Sequence, residues 1–70
     1  MKLIDEVIDS VIVIETEEEN IKIVVDIPTG EIIHFEQVET TINQLATFMT
    51  KAKARYSKFL RSEKLNDFKI

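Results

Sequence analysis

Apolar residues recur along this chain at two different periods, and the change of period divides it. From Thr41 to about Leu65 they fall three and four apart, at Ile42, Leu45, Met49, Ala52, Tyr56 and Phe59. That spacing places them in one stripe down a long amphipathic helix, which Phe48 and Leu60 widen on one side. Thr41-Ile42-Asn43-Gln44 fits a capping box, in which Thr41 and Gln44 each satisfy the other's backbone N–H. No Gly or Pro interrupts the run, and Asn66 is the expected stop.

Ahead of the helix the period shortens to two. Val11 to Thr16 is a β-branched run and predicts a strand. Glu17-Glu18-Glu19-Asn20 predicts a four-residue loop that pairs Thr16 with Ile21. Residues 21–27 alternate, with Ile21, Ile23, Val25 and Ile27 on one side of a second strand. This register sets Ile14 beside Ile23, Ile12 beside Val25, and Glu15 opposite Lys22. Pro28-Thr29-Gly30 predicts the next turn, with Gly30 in the left-handed position. A third strand from Glu31 to about Gln37 then pairs Val25 with Ile33, Ile23 with Phe35 and Lys22 with Glu36.

Residues 1–9 carry Leu3, Ile4, Val7 and Ile8 at a helical period and predict a short helix or arm, with extension of the next strand as the alternative. The expected fold is α+β: a three-stranded antiparallel meander packed on one face by the C-terminal helix, in the order β-β-β-α, as a single domain over residues 1–70. Its inner face is expected to hold Ile12, Ile14, Ile21, Ile23, Val25, Ile27, Ile33 and Phe35.

Two surfaces of such a domain are unfinished. A helix of about 24 residues is ~36 Å long, while a seven-residue strand spans about 23 Å. About two turns carrying Tyr56, Phe59, Leu60 and Leu65 are therefore expected to project past the sheet. The second surface is the outer sheet face, where Val11, Val13, Val24 and Ile32 are expected around His34, bare or covered by residues 1–9 or a second chain.

Composition sharpens the point. A core of 70 residues is marginal without support, and the chain has no cysteine for disulfides or thiolate metal sites and a single histidine. Oligomerisation is the support that remains, as helices paired antiparallel through their second halves or as a helix laid on a neighbour's sheet. No apolar run reaches membrane-spanning length and the first residues are acidic, so a cytoplasmic location is expected.

The net charge of −4 hides a division. Residues 1–50 carry Lys2 and Lys22 against eleven acids, a net −9, whereas residues 51–70 carry +5. Closely apposed basic helix halves would repel, which favours a helix lying on an acidic sheet.

Candidate chemistry is sparse. His34 is the sole candidate general base or metal ligand, with Glu36 and Asp26 nearby, and no nucleophile can be placed beside it. Neither an enzyme, a cofactor nor a metal is expected, and Glu17-Glu18-Glu19 reads as a solvated loop. Lys51, Lys53, Arg55, Lys58, Arg61 and Lys64 spread around the helix with Tyr56 and Phe59 interleaved, and Lys51, Arg55 and Lys58 share a face.

These features point to a small non-enzymatic protein-interaction module, self-associating as a homodimer or higher oligomer. Its expected partner surface is Met49, Tyr56, Phe59, Leu60, Lys51, Arg55 and Lys58, with a second surface at Val13, Val24, Ile32 and His34. Size and composition suggest, by association alone, a phage or mobile-element inhibitor or assembly protein. The alternatives are a nucleic-acid-associated protein using the basic half of the helix, which the acidic sheet opposes, and an oligomer that sequesters a small ligand between subunits.

Overall fold

The computed structural model describes residues 1–67, with side chains described through Glu63. In chain order the elements are β1 (Leu3–Ile8), β2 (Val11–Thr16), β3 (Ile21–Asp26), β4 (Ile32–Gln37) and α1 (Ile42–Asp67). The strands form one antiparallel sheet in the order β1-β2-β3-β4, and α1 packs on one face of it. The fold is α+β, but the meander has four strands where three were expected.

The extra strand is the segment expected as a short helix or arm. Leu3 pairs with Thr16, and the ladder runs through to Ile8 opposite Val11. A helix of six residues is too short to hold itself together. Ile4, Val7 and Ile8 are β-branched, and Asp9-Ser10 closes a tight hairpin in which Asp9 takes φ 55°. Extension of the sheet therefore wins over the helical spacing. The outer face is consequently not covered by residues 1–9, which lie in the plane of the sheet as its edge.

The β2–β3 hairpin has the expected register, with Ile14 opposite Ile23 and Glu15 opposite Lys22. Thr16 fixes its loop: this buried side chain accepts the N–H groups of Asn20 at 3.0 Å and Ile21 at 3.2 Å. Glu19 closes the turn at φ 63°, a left-handed conformation that costs a residue with a Cβ roughly 1–2 kcal/mol.

The β3–β4 turn uses Gly30 at φ 76°, as expected. The Gly30 N–H donates to the Asp26 carbonyl at 2.7 Å, and the Asp26 N–H to the Glu31 carbonyl at 2.8 Å. A Cβ at Gly30 would also crowd the Tyr56 hydroxyl at 3.2 Å, which would have to give by a few tenths of an ångström, so the left-handed φ is the stronger reason for glycine there. Ile23–Phe35 and Lys22–Glu36 pair as expected, but Val25 pairs with Ile32 and not with Ile33. A β-bulge between Val24 and Val25 absorbs the extra residue. Ile32, expected on the outer face, is thereby turned to the inner one, where it meets Val25 and the helix.

The core is Ile12, Ile14, Ile21, Ile23 and Val25 from the sheet, Leu3 from β1, and Phe48 and Ala52 from α1. Leu45, Met49, Tyr56 and Phe59 pack around it. Ile33 and Phe35, expected inside, are 57% and 45% exposed. Ile33 is open because it is the residue the bulge adds, and Phe35 because α1 lies toward the β1 and β2 side of the sheet and does not reach over it.

The capping box forms as expected. The Thr41 N–H donates to the Gln44 side-chain carbonyl at 2.9 Å, and the Gln44 N–H to the Thr41 hydroxyl at 3.1 Å. At the other end the helix runs through Asn66, the expected stop, to Asp67.

Two outcomes test this packing. Phe48→Ala empties the centre of the core and costs about 3–5 kcal/mol, most of the stability of so small a domain, so the variant unfolds in a urea titration well before the parent. Glu19→Gly relieves the left-handed strain and stabilises by roughly 0.5–1 kcal/mol after the added chain entropy of glycine, read as a rise in Tm of a few degrees.

Candidate functional site

The helix overhang starts later than expected. The Tyr56 hydroxyl donates to the Ile27 carbonyl at 2.7 Å, and its ring lies against Gly30. Phe59 packs against the core and Leu60 is half-buried. Tyr56 and Phe59 are thus seated on the end of their own sheet, and the exposed part of the rod begins with Arg61, Ser62 and Glu63. The side chains of Lys64 and Leu65 lie outside the described residues.

Two of the basic residues also serve the chain itself. Arg55 donates to the Asp5 carboxylate at 2.7 Å and to the Leu3 carbonyl at 3.3 Å. Lys51 donates to the Met1 carbonyl at 2.7 Å. Asp5 faces the helix because it pairs with Ile14, and Arg55 is the charge that makes this inward carboxylate tolerable. Both partners are more than a third exposed, so the ion pair is worth about 0.5–1 kcal/mol. Its effect is positional: it ties α1 to the β1 edge of the sheet. Lys58 flanks the same edge beside Asp5, Arg55 and Phe59, while Lys53 and Arg61 remain exposed.

That tie gives the helix two unlike flanks. On the β1 side lie Lys51, Arg55 and Lys58. On the β4 side lie Met49 and Lys53, above Ile23, Val25 and Ile32. Here the inner sheet face continues beyond the helix. Ile32 and Phe35 are each 45% exposed, although the residues opposite them, Val25 and Ile23, are buried. Val38, just past β4, is 62% exposed, and Ile42 at the start of the helix is 84% exposed. The result is an apolar strip along β4, open to water on a domain whose other inner positions on β2 and β3 are closed.

Within the expected site set, Met49 and Ile32 are brought together at this strip. Val13, Val24 and His34 are not part of it. They pair across the opposite face, Val13 with Val24 and Val24 with His34, and Glu6 completes the row through Val13. This face also carries Ile4 and Ile8, both about half exposed, among Glu15, Lys22 and Glu36. His34 stands 3.4 Å from Glu36, and both side chains are more than half exposed.

The sequence reading missed Phe35, Ile33, Val38 and Ile42 as surface residues. It also missed Asp5 as the anchor of Arg55. No local signal marks Asp5, since its neighbour Glu6 is an acid too and its partner lies fifty residues away.

Among the described residues no group of three or more His, Cys, Asp or Glu side chains is placed to hold a metal ion. No described helix is long and apolar enough to cross a membrane. Comparison of the chain with protein-family models, with curated proteins and with solved structures finds no match.

If Arg55 positions β1, Arg55→Ala lowers stability by only about 1 kcal/mol but unequally. Hydrogen exchange is expected to speed up at the β1 amides and to change little in β2 and β3.

Proposed function

We propose that this chain is a small non-enzymatic protein-interaction module that self-associates, and that its contact surface is the apolar strip of β4 and the adjoining flank of α1. The observation that carries this reading is the asymmetry of one sheet face: Ile12, Ile14, Ile21, Ile23 and Val25 are buried, while Ile32 and Phe35 on the same face stay open. Water-exposed β-branched and aromatic residues in a row on an edge strand are an association liability unless a partner covers them. A domain of this size gains most from such a partner, because its single core supplies little stability by itself.

This reading shifts the expected contact away from the far end of the helix. Tyr56 and Phe59 are occupied by their own sheet, and Lys51 and Arg55 by β1. Met49 stays in the contact surface, with Ile32, Phe35, Val38 and Ile42 added. The nucleic-acid alternative loses part of its support for the same reason, since two members of the Lys51/Arg55/Lys58 stripe are engaged within the fold.

Sedimentation equilibrium tests the proposal. A chain of 8.1 kDa is expected to sediment at a multiple of that mass at micromolar concentration. Phe35→Asp is expected to return it to a monomer with the helix signal intact, because position 35 already tolerates water. Phe59→Asp, in contrast, is expected to unfold the domain rather than dissociate it. A parent chain that stays monomeric overturns the reading.

A further inference from the structure

We infer that the partner on this surface is a second copy of the chain, joined edge to edge through β4 in a two-fold antiparallel pairing centred on Phe35. This rests on the self-association reading above and specifies its geometry.

The sheet has two free edges, and they are not equivalent. β1 is guarded: Asp5 points inward and is tied to Arg55, and Lys51 lies across the backbone at Met1. Inward charge and a covering lysine are the devices by which edge strands avoid pairing. β4 has neither. From His34 to Gln37 it is regular, carries no proline, and presents no charge on its inner side.

Its free hydrogen-bonding groups can be assigned. The Val38 N–H bonds to the Asn20 carbonyl of the neighbouring strand. In an antiparallel ladder the residues that turn their N–H and C=O toward one neighbour alternate with those that turn them away. In the register Ile21–Gln37, Lys22–Glu36, Ile23–Phe35 and Val24–His34, it follows that Glu36 and His34 bond inward to β3. Phe35 and Gln37 direct theirs to the open edge.

A two-fold axis perpendicular to the sheet pairs two β4 strands antiparallel and keeps both helices on one face. Side chains of like face then meet only if the axis lies midway between a residue of the strand and its own copy. Centred on His34, the pairing sets the bulged Ile32–Ile33 segment against Phe35 and Glu36, which breaks the ladder. Centred on Glu36, it sets two carboxylates directly opposite each other, which is repulsive. Centred on Phe35, it pairs Phe35 with its own copy through two outward-facing backbone bonds and moves the bulged segment away from the axis, out to the ends of the ladder opposite Gln37 and Val38. It also sets His34 opposite Glu36 twice, once on each side of the axis. Within one chain these two side chains already lie 3.4 Å apart. The two open strips then join into one apolar floor between the helices, with Phe35 at its centre.

The experiment is sedimentation of the full chain and three variants, with circular dichroism to follow folding. Gln37→Pro removes an N–H that faces the open edge and places a ring there, leaving the β3 ladder untouched. It is expected to be folded and monomeric. His34→Glu sets like charges opposite each other at both sites and is expected to weaken the dimer about tenfold. His34→Lys sets opposite charges there and is expected to leave the dimer as tight or tighter. Should Gln37→Pro fail to fold, the two His34 variants still decide, since position 34 is exposed on the outer face. A dimer that persists in folded Gln37→Pro, or that His34→Glu and His34→Lys affect alike, overturns the edge pairing while self-association stands. A parent chain that is monomeric overturns both.

Discussion

One helix cannot cover four strands. An α-helix with its side chains is about 10–12 Å across. The outer strands of a four-stranded sheet are about 14 Å apart between axes, before any side chain is counted. Wherever α1 settles, part of the inner face stays open, and a local choice decides which part. Phe48 and Ala52 centre the helix on the isoleucines of β2 and β3. Arg55 and Lys51 then pull it toward β1. The open part falls mainly on β4, with Val7 at the far end of β1 also exposed, and the surface chemistry of the molecule follows from that.

The charge distribution serves the same end. The basic second half of α1 lies along the β1 edge, where an inward aspartate and two backbone carbonyls accept its bonds. Individually these contacts are weak because water competes for them. Their value is in direction: they make the two flanks of the helix unlike, one cationic and pinned, the other carrying Met49 and Lys53 and free of ties to the sheet edge. The same residues that give the sequence its charge division thus decide which edge of the sheet remains available.

Most of the β2–β3–α1 core was legible in the sequence, since alternation in Ile21–Asp26, the Glu15–Lys22 pair and the Thr41–Gln44 box are local signals with local causes. Two features were not. β1 splits its apolar residues between both faces, as an edge strand does, so Leu3, Ile4, Val7 and Ile8 mimic a helical spacing. The bulge opposite Val24 and Val25 is a backbone event with no residue signature, yet it moves Ile32 from one face to the other. The surface was harder still. Alternation shows that Phe35 shares a face with Ile23, but whether the helix reaches that far depends on Asp5 and Arg55, fifty residues apart in the chain. The expected mismatch was one of length, and the one that matters is of width.

The order of elements has a consequence for biosynthesis. Every strand pairs only with its sequence neighbour, so the sheet can assemble progressively as the chain emerges, by closing short local loops. Its cover comes last. At 5–20 residues per second, the 26 residues of α1 follow the final strand by on the order of seconds. During that interval the isoleucine-rich face is bare on a nascent polypeptide, and the polysome holds many such faces close together. The eleven acids of the first fifty residues give each of them a strong negative charge at that stage. Mutual repulsion between unfinished chains then protects a surface that the helix has yet to reach.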